Sequence, residues 1–309
     1  MINKRILIFG TGAVGGYYGG MLAKAGFDVT FIARGKNFKV LKQNGLTLIT
    51  EDKKEILSIK VFESKDLIKL GTFEYIFICV KSMDTKNAAE QIKKNVGAET
   101  AVLSFQNGVE NEEIIGKIVG LEKVIGATVF VASKLLEPGV IYQIGYNGGL
   151  IGELNCKKTE RVCELEKIFQ SVNVDIKVVD DVKADLWNKL VWNTSFNSIS
   201  VITGKTVDEI LSDKELYNLT KSIMTEVRDV AIALGLKIRQ DTVEFNLKRS
   251  EGFTGFKTSM LQDFERGSPL EIEEIIGVVI RKGKEKNISV PNTEKIYIEV
   301  KKKVSALKR

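Results

Sequence analysis

The chain has 309 residues, of which 44% are hydrophobic and 28% charged, a balance that suits a globular protein with room for two ordinary domains. It contains no histidine, which excludes Ser-His-Asp and Cys-His catalysis, His-ligated metals and imidazole as a general acid, and leaves acid–base work near neutral pH to Lys, Glu, Asp, Tyr or Cys. The net charge of +6 is spread along the chain and favours an anionic small molecule, and three cysteines (Cys79, Cys156, Cys163) are too few for a disulfide framework or a four-thiolate zinc site.

In chain order, Arg5–Phe9 reads as a buried strand, with no leader segment expected before it. A glycine-rich turn leads into a helix over residues 13–25, stopped by Gly26. Residues 28–33, 75–80 and 101–105 are further strands, and Cys79 inside the third apolar run reads as a small core residue. Continuous apolar strands separated by helices predict a parallel sheet covered on both faces, the doubly wound α/β architecture. Over residues 124–153 the pattern predicts shorter strands with turns at Pro138-Gly139 and Asn147-Gly148-Gly149, an antiparallel extension.

From about residue 180 the strand signal disappears. Leu216, Leu219, Ile223, Val227, Val230 and Leu234 recur at helical spacing before Gly235, and Ile272, Ile275, Ile276 and Val279 repeat the pattern. Pro291 opens a last helix with Tyr297, Val300, Val304 and Leu307 on one face, and its basic cluster from Lys301 to Arg309 reads as a solvated face rather than a nucleic-acid patch. No apolar run approaches the roughly 20 residues a membrane span needs. The chain therefore divides into residues 1–180, α/β, and residues 181–309, all helix.

Two motifs carry chemistry. Gly10-Thr11-Gly12-Ala13-Val14-Gly15 matches G-x-G-x-x-G between the first strand and the first helix, where a dinucleotide pyrophosphate meets helix N–H groups; a glycine turn without a ligand is the plainer alternative. The second strand ends in Phe31-Ile32-Ala33-Arg34-Gly35, with no carboxylate to hold a ribose diol and with Arg34 placed to meet a 2′-phosphate, so NADPH is expected over NADH. Lys189, Asn193 and Asn197 follow at i, i+4 and i+8 on a helix otherwise rich in Trp, Leu, Val and Phe. Pattern alone serves a solvated stripe as well as a site. Gly204-Lys205-Thr206 resembles the end of a P-loop, but the first glycine that motif requires would fall at Ile199.

The chain resembles the ketopantoate reductases over almost its whole length. The resemblance rests on GTGAVGG at residues 10–16, Arg34, Val80-Lys81, Gln106-Asn107-Gly108, Lys189-Leu190-x-x-Asn193-x-x-x-Asn197, and Ser259-Met260-Leu261-Gln262-Asp263 with Glu271-Ile272 beyond it. It implies a Rossmann-type NADPH-binding domain over residues 1–180. Residues 181–309 would form a helical substrate and catalytic domain like the C-terminal domain of 6-phosphogluconate dehydrogenase. It implies NADPH-dependent reduction of 2-dehydropantoate to (R)-pantoate, toward pantothenate and coenzyme A, in the cytoplasm, by an enzyme compatible with a homodimer. On this resemblance the proton donor maps onto Lys189, substrate-binding groups onto Asn193, Asn197, Ser259 and Asn107, and cofactor contacts onto Gly10 to Gly15, Arg34, Lys81, Asn107 and Ala132. Glu271 maps onto a carboxylate that touches the cofactor and orients Lys189, while Met260, Gln262 and Asp263 read as packing and capping residues.

The chain departs from the family pattern where a further substrate-binding asparagine often stands, near Val207, at Ile276 before Gly277, and in Gly255-Phe256-Lys257-Thr258, which lacks an asparagine some members use. These departures bear on contacts to the far end of the substrate. The alternatives are a reductase of another branched 2-oxo acid and an NADPH-sensing protein without catalysis.

Overall fold

Along the first strand, Ile6 and Ile8 enter one hydrophobic core while Leu7 and Phe9 enter another, so the sheet is buried on both faces. The structure, a computed structural model, describes residues 4–51 and 53–306. Its strands are β1 (Arg5–Phe9), β2 (Asp28–Ile32), β3 (Leu46–Ile49), β4 (Lys54–Leu57), β5 (Lys60–Phe62), β6 (Phe73–Ile78), β7 (Val96–Ser104), β8 (Val124–Glu137), β9 (Val140–Glu153) and β10 (Asp175–Val178). The strands β5-β2-β1-β6-β7-β8 are mutually parallel, and strand order reverses at β1, between β2 and β6. In such a sheet, ligands sit beyond the carboxyl ends at the reversal. The helices α1 (Ala13–Lys24), α2 (Gly35–Asn44) and α5 (Glu160–Ser171) pack on one face through Tyr17, Tyr18, Leu41, Leu165 and Phe169. On the other face α3 (Thr85–Ile92) and α4 (Asn111–Val119) bury Ala88, Ile92 and Ile115. This is the doubly wound arrangement expected from the apolar strands, and Gly26 ends α1 at φ +88° as expected.

The hairpin differs from expectation. β8 and β9 are each 14 residues long, joined at Pro138-Gly139, and β9 also pairs in parallel with β3 and β10. Asn147-Gly148-Gly149 is no turn but lies inside β9. A Cβ on Gly148 would stand 2.4 Å from the Asp175 carbonyl oxygen and one on Gly149 2.4 Å from that of Thr128. The glycines allow β10 and β8 to approach β9 closely, a use of glycine that local sequence does not distinguish from a turn.

By its contacts the chain forms two units, one of Glu110–Val182 with the chain up to Gln106, the other of Asn107–Val109 with the chain from Lys183 onward. The second unit contains helices joined by loops and no strand among its described residues. α6 (Val182–Trp192) begins on the boundary and runs into a π-helical turn, Asn193–Asn197, then α7 (Ser198–Thr203), α8 (Val207–Ser212), α9 (Lys214–Ala233), α10 (Thr242–Ser250) and α11 (Ser259–Glu265). A second π turn, Glu273–Gly277, leads into α12 (Val278–Lys286), followed by α13 (Pro291–Ala306). Val191, Phe196, Ile223, Val227, Ile275, Val279 and Val300 share one core. Lys303 is not simply solvated, since its ammonium donates to the Ile202 carbonyl oxygen near the end of α7 at 2.6 Å. Leu307, Lys308 and Arg309 lie outside the described residues. Gly204-Lys205-Thr206, the P-loop look-alike, separates two helices: Gly204 ends α7 at φ +76° and Thr206 forms a capping box with Glu209.

Candidate active site

At the carboxyl end of β1 the glycines divide by role. Gly10 lies at φ +106°, and a Cβ there would stand 2.9 Å from the Val80 amide nitrogen; a Cβ on Gly15 would stand 2.1 Å from the Gly10 carbonyl oxygen. Both are demanded by the turn itself. Gly12 is not, for a Cβ on it would meet nothing within 4 Å. The space before Gly12 is what a phosphate backbone approach requires. The turn is pinned from β2: the Gly10 and Thr11 amides and the Thr11 hydroxyl all donate to the Ile32 carbonyl oxygen, and the Asn37 amide donates to that of Thr11. α1 starts at Ala13 with no side-chain cap and no acid in its first turn, so the Ala13 and Val14 end presents helix N–H groups and the positive end of the dipole. These residues fit a dinucleotide pyrophosphate.

Arg34 caps the start of α2 beyond β2, with its guanidinium almost fully exposed 3.6 Å from the Asp84 carboxylate. Lys81 follows β6 and caps the 3₁₀ turn Ser82–Asp84, whose Asp84 pairs with Arg34, so two cations follow the ends of β2 and β6 on either side of β1. Gln106 holds this end together: its amide donates to the Val80 carbonyl oxygen at 3.0 Å and to the Thr85 hydroxyl at 2.8 Å. Ala132 sits exposed in β8 at an irregularity of register between Val131 and Ser133.

In the helical unit the expected polar stripe is altered. The π turn replaces α-helical geometry over Asn193–Asn197, so the step from Asn193 to Asn197 is not that of a regular α-helix. Hydroxyls take the carbonyls the wide turn exposes: Ser195 donates to Val191, Ser198 to Thr194, Ser200 to Asn197, and Thr194 to Ile275 in the second π turn at 2.9 Å. A solvated stripe is excluded for the amides, since Asn193 is 6% exposed and Asn197 fully buried. Neither amide atom of Asn197 has a hydrogen-bond partner. Such a group costs about 1–3 kcal/mol, and the structure tolerates it where a ligand would satisfy it.

The Lys189 side chain is largely removed from water, which lowers its pKa to about 8; the Glu271 carboxylate pulls it up, and the Arg249 guanidinium pushes it down. Glu271 is 5% exposed, stands just before the helix containing the second π turn, and accepts from the Asn107 amide at 3.2 Å. Asn107, Lys189 and Glu271 thus form one cluster within the helical unit, from positions up to 164 residues apart. Ser259 is the exposed first residue of α11, while Thr258 beside it is buried, caps the helix by accepting from the Leu261 amide, and lies 2.6 Å from the Ser200 hydroxyl.

A family model described as ketopantoate reductase PanE/ApbA matches residues 6–155, and one described as ketopantoate reductase PanE/ApbA C terminal matches residues 181–304. The chain belongs to the ketopantoate reductase family. It is 30% identical over 319 residues to a 2-dehydropantoate 2-reductase of Mesorhizobium japonicum, a match covering 96% of this chain and 97% of that one. The crystal structure of a PanE/ApbA family ketopantoate reductase from Ralstonia eutropha matches with a TM-score of 0.91 at 30% identity, over 99% of this chain and 100% of the other. That of a 2-dehydropantoate 2-reductase from Geobacter metallireducens matches with a TM-score of 0.91 at 31% identity, over 96% and 99%. This ketopantoate reductase family member is an oxidoreductase acting on a small molecule.

For a ketopantoate reductase the chemical capacity is plain. The α/β unit carries a glycine turn, a helix N-terminus and two cations, a set suited to an anionic dinucleotide. The helical unit carries a desolvated ammonium, a buried carboxylate and buried amides. Sequence reasoning missed Arg249, which bears on Lys189 from α10, and Thr258, which fixes Ser259. Neither had a signal: Arg249 looks like any exposed helical cation, and Thr258 finds Ser200 only after folding. Among the described residues no group of His, Cys, Asp and Glu could hold a metal, and no helix is long and apolar enough to cross a membrane.

Proposed function

We propose that this protein reduces the C2 ketone of 2-dehydropantoate to (R)-pantoate at the expense of NADPH. The observation that carries the reading is Lys189, an ammonium held out of water beside Glu271, with its pKa brought down to about 8. Bound at the glycine turn, NADPH supplies the hydride that C2 receives. As negative charge gathers on the carbonyl oxygen, the Lys189 ammonium stabilises it and donates its proton there, and the neutral amine recovers a proton from solvent. A lowered pKa makes that proton easier to release while leaving Lys189 mostly protonated at neutral pH.

Glu271, tied to Asn107, orients the ammonium and keeps it charged. Asn193 and Asn197 present amides to the substrate, Ser259 a hydroxyl to its carboxylate or hydroxyl end, and Asn107 reaches substrate and cofactor. Gly10 to Gly15 cradle the pyrophosphate, Arg34 meets the 2′-phosphate, and Lys81, Ala132 and Glu271 complete the cofactor contacts. In domain terms, residues 1–180 bind NADPH and residues 181–309 bind substrate and carry catalysis. The setting we assign is the cytoplasm, in keeping with three free cysteines, with no nucleic acid as partner and the chain able to act as a homodimer.

The decisive assay follows NADPH absorbance with 2-dehydropantoate and unrelated 2-oxo acids. Turnover of 2-dehydropantoate to the R alcohol, faster with NADPH than NADH, is expected. Tight NADPH binding without oxidation by any 2-oxo acid would instead make the protein a nucleotide sensor.

A further inference from the structure

Four aromatic rings pack together, two of them from residues adjacent in the chain to Asn193 and Asn197. Trp192 immediately precedes Asn193; its ring packs on Phe196 at 5.0 Å between centroids and meets Phe253 and Phe256 edge-on at 6.3 Å each. Phe253 and Phe256 lie 5.3 Å apart. Phe196 is sealed in the core, but Phe256 is 36% exposed and Trp192 and Phe253 are partly exposed.

This surface is fixed rather than loose. The Trp192 indole N–H donates to the Ser250 hydroxyl at 2.9 Å, the Phe256 carbonyl oxygen accepts from the amide of buried Val207 at 3.0 Å, and the Thr258–Ser200 contact fastens the segment between Phe256 and Ser259 to α7. The rings therefore share one neighbourhood with the helix that carries Asn197 and with the segment that carries Ser259. They offer nothing to a hydroxyl group: the phenyl rings have no polar atom, and the indole N–H is already engaged. Val207 and Phe256 are joined backbone to backbone, and both side chains are apolar.

We propose that this ring surface receives the substituent on C3 of the substrate. The enzyme then reduces 2-oxo acids with a bare branched-alkyl or phenyl arm at least as well as hydroxylated 2-dehydropantoate. The inference rests on the 2-oxo acid reduction proposed above and changes nothing in its chemistry: C2 gains hydride from NADPH, and the carbonyl oxygen gains the Lys189 proton. An apolar pocket gains little from a hydroxyl it cannot pair, and a site built to pair one rejects its absence strongly. The choice of Phe at position 256 thus sets which arm is preferred.

The test compares kcat/KM with NADPH for 2-dehydropantoate, trimethylpyruvate (the same skeleton without the hydroxyl) and phenylglyoxylate. We expect trimethylpyruvate or phenylglyoxylate to match or exceed 2-dehydropantoate. Phe256→Asn, which supplies an amide, should shift the ratio about tenfold toward 2-dehydropantoate, while Phe256→Leu leaves it near the wild-type value. Wild-type preference for 2-dehydropantoate over both analogues, or a ratio that Phe256→Asn does not move, overturns the inference and leaves the proposed function standing. Failure to oxidise NADPH with all three overturns the proposed function as well.

Discussion

Lys189 has to be charged to donate a proton and desolvated to donate it readily, and its pKa of about 8 is where those demands meet. The reduction needs the ammonium, so kcat should be level below pH 8 and fall about tenfold per unit above it. The reverse oxidation needs the free amine and should rise through the same pH. Lys189→Ala should lower kcat by about 10²- to 10⁴-fold and abolish the inflection while NADPH affinity is kept. An inflection that survives the substitution would assign it to another group. Asn197 is a second residue where function opposes stability. Its amide is fully buried with both polar atoms unpartnered, so Asn197→Leu removes a cost rather than a bond. Thermal melting should show a Tm unchanged or raised, while KM for the 2-oxo acid rises about tenfold. A fall in Tm would make Asn197 an ordinary structural residue.

The turn from β1 into α1 separates what an element needs for folding from what it needs for binding. Gly15→Ala would drive a Cβ to 2.1 Å from the Gly10 carbonyl oxygen and should destabilise the chain by about 3 kcal/mol or more. Gly12→Ala meets open space, so its Tm should hold while KM for NADPH rises about tenfold, because only the bound pyrophosphate collides with the methyl group. Equal effects on stability at both positions would make Gly12 a folding glycine. This turn and the strands at its side were legible in the sequence, since a strand buried on both faces is written as an unbroken apolar run and a G-x-G-x-x-G between strand and helix has few other uses. Lys189, Asn193 and Asn197 were legible as residue types but not as geometry. The π turn that carries Asn193 and Asn197 is tied through the Thr194 hydroxyl to Ile275, 81 residues away, and holds hydroxyls that local propensity reads as weak helix formers. Gly148 and Gly149 misled for a related reason: the strands they accommodate, β8 and β10, are identified only once the sheet is assembled.

Across the whole molecule, burial is organised as separate cores, two on the faces of the sheet and one among the helices from α6 to α13. The helical core is fastened by Glu226 on α9. Its buried carboxylate accepts from the backbone and side-chain amides of Asn292 and from the backbone amide and hydroxyl of Thr293, closing the first turn of α13. Glu226→Ala leaves those donors without acceptors and should cost about 3 kcal/mol, with kcat at low temperature kept, because Glu226 takes no part in the cluster around Lys189. A ligand stabilises only the structure that binds it. In calorimetry, NADPH should therefore raise chiefly the transition of the α/β unit, which carries all of its proposed contacts except Asn107 and Glu271, whereas Glu226→Ala lowers that of the helical unit. Two transitions that respond separately in this way mark two units of folding, each stable on its own core. A single transition moved alike by NADPH and by the substitution would show instead that the chain melts as one cooperative body despite its separate cores.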